Sequence, residues 1–146
     1  MSPSEIESFM QSAIEEGRNA VPVCNDNPPV GCVLVRKNTI VARGHTNEPG
    51  APHAEAMALS HLIGDPVDVI AFVTLEPCSF HGRTPSCAAA LIQSGIKSVY
   101  VGIIDPDARN CGRGIAMMRA AGIEVKEGIL SSTIFAELQS YLGRAP

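Results

Sequence analysis

Three short segments of this 146-residue chain concentrate residue types that bind metals and move protons: His53-Ala54-Glu55, Glu76-Pro77-Cys78 and Cys87. One imidazole and two thiols make three soft or borderline ligands. That is the number found in catalytic zinc sites that keep a fourth position for water, whereas a structural site is more often closed by four protein ligands. Glu55, two residues past His53, is the natural general base: it can stay off the metal, take a proton from activated water and return it to a leaving amine. Each residue alone has an ordinary reading, since buried cysteines mostly behave as small hydrophobes. Their joint order favours one shared site.

For these side chains to converge, each must stand at a strand end or a helix start. Ser4 with Glu7 reads as a capping box, and Ile6, Phe9, Met10, Ala13 and Ile14 recur at helical spacing, so a first helix is expected to about Gly17. Val30 to Arg36 and Thr39 to His45 are β-branched runs joined by Lys37-Asn38, a hairpin. Pro52 stands at the start of a second helix, to about Leu62, with His53 in its first turn. Strand and helix then alternate: Val69 to Leu75, Pro85 to Gln93, Ser98 to Ile104, Arg113 to Ala121, Ile123 to Lys126 and Ser131 to Leu142. Alternation of this kind implies parallel neighbours, and the nearly all-apolar strands imply helices on both sheet faces. The expected fold class is α/β, a three-layer α/β/α sandwich on a mixed five-stranded sheet, one domain over residues 1–146. Ligands collect at the carboxyl ends of strands in such sheets, and helix N-termini favour thiolates there.

Composition narrows the classes further. Apolar residues make up 45% and charged residues 18%, which is globular and not disordered. Five cysteines, an odd number, do not make a disulfide framework and point to a reducing, cytoplasmic compartment. No apolar run approaches the roughly 20 residues of a membrane span, and the N-terminus lacks a signal-peptide pattern. A formal charge of −4 and the absence of Trp argue against a nucleic-acid partner and leave a small molecule.

His-x-Glu at a helix start, followed after a strand by Pro-Cys and a second Cys, matches the signature of zinc deaminases. The segments NPPVGCVLV, PHAEAMAL, TLEPCSFHGRTPSC and GRGIAMMRAAGIEV resemble the deaminase domain of the bifunctional riboflavin-biosynthesis deaminase/reductase, in the cytidine-deaminase-like superfamily. The resemblance runs from about Asn27 to the last helix. Eight residues separate Cys78 from Cys87, where tRNA-adenosine, cytidine and deoxycytidylate deaminases usually have two. The resemblance implies that His53, Cys78 and Cys87 bind zinc, that Glu55 shuttles protons, and that a pyrimidine-like ring loses an amino group to water. The substrate it implies is diaminohydroxyphosphoribosylaminopyrimidine. It also implies substrate contacts from Asn27 and Asp105 and a homo-oligomeric assembly. The long loop between the cysteines supplies His81 and Arg83, and the planar fork of Arg83 suits a substrate phosphate. Asn110 and Arg113, before the fourth helix, are further polar candidates.

The chain departs from that family's pattern around the substrate. Thr46 and Phe80 stand where His is usual, each with a histidine one place away (His45 and His81), and Asp107 stands where Asn is usual. An anion at Asp107 is expected to repel a substrate phosphate. The bifunctional relatives also continue into a reductase domain. A deaminase of another free base, nucleoside or secondary metabolite is therefore an alternative, and a non-catalytic zinc domain that binds a partner is a further one, which Glu55 argues against. Cys32 alternates into a strand as core. Cys24 and Cys111 are loop residues to which the sequence assigns no role.

Overall fold

The run Val69–Leu75 is apolar on both faces except for Thr74, a composition that favours a strand covered on both sides, and it forms the middle of the sheet. The computed structural model describes residues 1–48, 51–80 and 86–142. In chain order the elements are α1 (Pro3–Arg18), β1 (Gly31–Arg36), β2 (Thr39–His45), α2 (Ala54–Ser60), β3 (Val69–Leu75), α3 (Cys87–Ser94), β4 (Ser98–Ile103), α4 (Arg113–Ala120), β5 (Glu124–Glu127) and α5 (Ser131–Leu138). One turn of 3-10 helix, Pro66–Asp68, leads into β3.

The sheet order is β2-β1-β3-β4-β5. β1 runs antiparallel to both β2 and β3, while β3, β4 and β5 are parallel. The expected mixed five-stranded sheet and its three layers are thus present. Lys37 and Asn38 turn the hairpin with positive φ at both positions (50° and 59°), the geometry whose twist matches two right-handed strands.

Alternate residues of each strand feed two cores. Leu34, Ala71, Val73, Val99 and Val101 meet α2, α3 and α4 on one face. Val33, Val35, Phe72 and Tyr100 meet Met10 and Ile14 of α1 and Ile134 and Leu138 of α5 on the other. Phe72 stacks on Tyr100 with ring centroids 4.8 Å apart. Cys32 is core as expected, and Cys24 is fully buried in the turns after α1. Among the described residues no helix is long and apolar enough to cross a membrane.

Three helix starts differ from expectation, one of them that of α3, which begins at Cys87 with Ser86 as its extended N-cap residue and not at Pro85. Ser2, not Ser4, caps α1: its hydroxyl accepts from the Glu5 amide at 3.2 Å while the Ser2 amide donates to Glu5 Oε1 at 2.9 Å. Pro3 decides between two overlapping Ser-x-x-Glu frames, because its preset φ and missing N–H suit the first helical position. α2 begins at Ala54, so His53 is its extended N-cap residue and lies just ahead of the first turn. The last helix is also shorter than its apolar spacing suggests, ending at Leu138, although Leu142 still packs on the second core.

Candidate metal centre and substrate cleft

Three strand ends and two helix starts meet at one edge of the sheet, and the chemistry-bearing residues sit there. Gly44 of β2 lets α2 approach: a Cβ at this position would lie 2.1 Å from the Ala54 carbonyl oxygen. Because the His53 side chain does not cap its own helix, its imidazole is available, and Nδ1 lies 3.1 Å from Cys87 Sγ. Ser86 is the cap of α3, its hydroxyl accepting from the Ala89 amide, so Cys87 stands at the first helical position. The Cys87 amide, at that helix start, donates to Cys78 Sγ at 3.3 Å. One ligand atom each from His53, Cys78 and Cys87 lies within 4.8 Å of the others.

The three groups shift one another's proton affinity through the hydrogen bonds between them. A hydrogen bond from the Cys87 thiol, with help from His53, holds the Cys78 thiol down at about 4. Cys87, which supplies that hydrogen bond and is buried beside Glu55, is pushed far up. His53 is raised by its hydrogen bond to Cys78 and by the charge of Glu55. A divalent metal replaces such shared protons and takes neutral imidazole and thiolates as ligands, so the donor set fits zinc. Glu55 lies outside the triangle and is 4% exposed, and burial pushes its carboxyl up to about 7. A base with that affinity holds or releases a proton near neutral pH.

The segment carrying Cys78 is held by two residues whose supporting role the sequence does not specify: Glu76, read only as part of a chemistry-bearing segment, and Asn110, read only as a further polar candidate. Glu76, buried at the end of β3, accepts from the backbone amides of Asp105 (3.0 Å), Gly112 (2.9 Å) and Ile115 (3.0 Å). Its charge thereby caps the start of α4 and ties the end of β4 to β3. Asn110, fully buried, bonds Pro77, Ser79, Asp105 and Gly114. Gly114 makes room for this junction, since a Cβ there would lie 1.9 Å from the Pro77 carbonyl oxygen. The sequence signal for Glu76 is its place one residue before Pro-Cys; for Asn110 it is only a polar residue near a helix start.

Beside the triangle opens a cleft of about 230 Å³ whose walls include Asn27, Thr46, Glu55, Phe80, Asp105 and Arg109. Asn27 and Asp105 therefore face the same space as Glu55. His81 and Arg83 lie outside the described residues. Thr46 is a clasp: its hydroxyl donates to the Pro28 carbonyl (2.8 Å) and accepts from the Val30 amide (2.9 Å), fixing the turn that carries Asn27. His45 is turned toward α1, where Nδ1 lies 2.6 Å from Glu16 Oε2. Phe80 underlies the Arg109 guanidinium at 4.7 Å, and Arg109 grips Asp107 through Nη2 to Oδ2 (2.6 Å) and Nε to Oδ1 (3.1 Å). That fork holds the Asp107 carboxyl down at about 2. The expected bare anion is in fact half of an ion pair.

A family model described as the cytidine and deoxycytidylate deaminase zinc-binding region matches residues 3–103, which include all three members of the triangle and Glu55. The chain belongs to this family. Among deaminase-family relatives, it is 42% identical over 134 residues to a riboflavin biosynthesis protein RibD from Chlamydia muridarum, covering 92% of this chain and 36% of that one. Its fold superposes on RibD of Acinetobacter baumannii with a TM-score of 0.92 at 36% identity, covering 96% of this chain and 40% of that one. A diaminohydroxyphosphoribosylaminopyrimidine deaminase/5-amino-6-(5-phosphoribosylamino)uracil reductase from Thermotoga maritima matches with a TM-score of 0.88 at 39% identity, covering 94% and 40%. The chain spans well under half the length of each of these deaminase-family proteins.

Proposed function

We propose that this chain is a zinc-dependent hydrolytic deaminase of an aminopyrimidine, and that its substrate is diaminohydroxyphosphoribosylaminopyrimidine, with ammonia as the second product. The observation that carries this reading is a His-Cys-Cys triangle with a buried carboxylic acid, poised near neutrality, beside it and outside it. His53, Cys78 and Cys87 would hold zinc, which when bound supplies Lewis-acid activation of water. Glu55 takes a proton from the attacking water at its carboxylate and passes it to the ring nitrogen, then carries the remaining hydroxyl proton to the departing amine, so that the ring N=C–NH2 and water become HN–C=O and ammonia. Asn27 and Asp105, in the cleft wall, orient the ring. Arg83, with His81, is assigned to the phosphate end of the substrate on the chemistry of its fork.

The relatives named for riboflavin biosynthesis support this substrate. The departures at Thr46 and Asp107 do not oppose it, because Thr46 serves the Asn27 turn and Asp107 is neutralised by Arg109. The chain is further proposed to act in the cytoplasm as a homo-oligomer, which light scattering at working concentration tests. Ammonia release from the phosphoribosyl diaminopyrimidine, abolished by Glu55→Gln, is the expected result; no release from fully zinc-loaded protein overturns it. Phe80, an apolar ring in the cleft wall, favours a second reading, a deaminase of a non-phosphorylated ring compound, and equal turnover of the substrate with and without its phosphate would select it.

A further inference from the structure

A carboxamide has one oxygen that accepts twice and two N–H groups that donate, and Asn110 uses all four. Its Oδ1 accepts from the amides of Ser79 (3.1 Å) and Gly114 (3.2 Å), while Nδ2 donates to the Pro77 carbonyl (3.2 Å) and to Asp105 Oδ2 (3.3 Å). The two amides facing one side and the carbonyl and carboxylate facing the other leave a single orientation for the group. The side chain is 0% exposed and so has no water to replace a lost partner. Pro77 and Ser79 flank Cys78, so one side chain grips the peptide on both sides of that thiol. Asn110 is itself anchored to the first turn of α4 through Gly114. From the other direction, the Ala88 amide of α3 donates to the Cys78 carbonyl at 3.0 Å. Cys78 is thus suspended between two helices, and the α4 half of the suspension is Asn110. The same carboxamide orients the carboxylate of Asp105 at the cleft.

We propose that Asn110 is a positioning residue that presents Cys78 to the metal and, through its fourth hydrogen bond, sets Asp105 against the substrate, coupling metal affinity to substrate orientation. This rests on Cys78 being a zinc ligand. Outer-shell partners of ligands typically govern metal affinity by 10–100-fold. Asn110→Val keeps the approximate volume and removes all four bonds.

The test measures zinc affinity by chelator competition, together with the thiolate-to-metal absorption of the cobalt-loaded protein. Met10→Ala, in the core on the opposite sheet face, serves as a control for general destabilisation. Asn110→Val is expected to weaken zinc by roughly 10–100-fold and to shift the cobalt spectrum, whereas Met10→Ala lowers Tm and leaves both unchanged. Zinc affinity within twofold of the parent, or a loss matched by Met10→Ala at equal Tm, overturns the proposal. Should Asn110→Val not accumulate as folded protein, Asn110→Asp, which keeps the oxygen between Ser79 and Gly114 but not the donor to Pro77, is judged on the same criterion. A parent protein that binds no zinc refutes the deaminase reading itself, a different outcome from a parent that binds and a variant that binds equally.

Discussion

Replacing Glu55 by Gln should damage catalysis and strengthen the metal-free fold at the same time. The carboxyl is buried, and its proton affinity is raised from the ordinary 4.5 to about 7 chiefly by loss of water. Between those two pH values the folded protein holds a proton that the unfolded chain has released, so stability falls as pH rises through the window. Above pH 7 the whole penalty is present, and at about 1.4 kcal/mol per tenfold change in proton affinity it amounts to roughly 3 kcal/mol. Gln has the same shape and no charge to bury. Chelator-treated Glu55→Gln protein, unfolded in urea with reductant, is therefore expected to exceed the parent by up to about 3 kcal/mol at pH 8, and by only about 1 kcal/mol at pH 5, where most of the penalty has not developed. With zinc restored, the same variant should lose roughly 10²–10⁴ in kcat, the usual contribution of a positioned acid-base group. A variant that is less stable than the parent at pH 8, or whose advantage does not change with pH, refutes the account of Glu55 as a carboxylate buried for its reactivity.

Glu76→Gln retains one acceptor oxygen but sets an N–H donor against one of three backbone amides, so thermal unfolding should show a loss of roughly 2–4 kcal/mol, a fall of about 6–12 °C in Tm, with a higher KM through the displaced Asp105 amide. Gly114→Ala forces a methyl group against the Pro77 carbonyl; a cost of roughly 1–3 kcal/mol and reduced zinc retention after dialysis are expected. Thr46→Val removes the hydroxyl that clasps Pro28 and Val30, which should cost roughly 1–3 kcal/mol and raise KM several-fold while kcat changes little, as steady-state assays can separate.

What could be read from the chain was whatever local pattern determines. β3, β2 and the hairpin turn fall on their expected residues, and β1 starts one residue later than expected, because a doubly covered strand and a two-residue turn write their requirements into adjacent positions. His53, Glu55, Cys78 and Cys87 were legible as residue types at strand ends and helix starts, although the sequence could not say that the His53 ring faces Cys87 and not its own helix. The illegible part is the support. Glu76 reaches amides 29 to 39 residues away, Asn110 reaches back 31 and 33 residues to either side of Cys78, and Thr46 holds a turn 16 and 18 residues upstream. None of these contacts has a period or a motif, because each depends on where the sheet has already brought its strand ends. Asp107 makes the same point electrostatically. Taken as one charge it argues against a phosphorylated substrate, yet Arg109, two residues on and seated on Phe80, converts it into a neutral fork, so the sign of a cleft follows from its pairs and not from its residues.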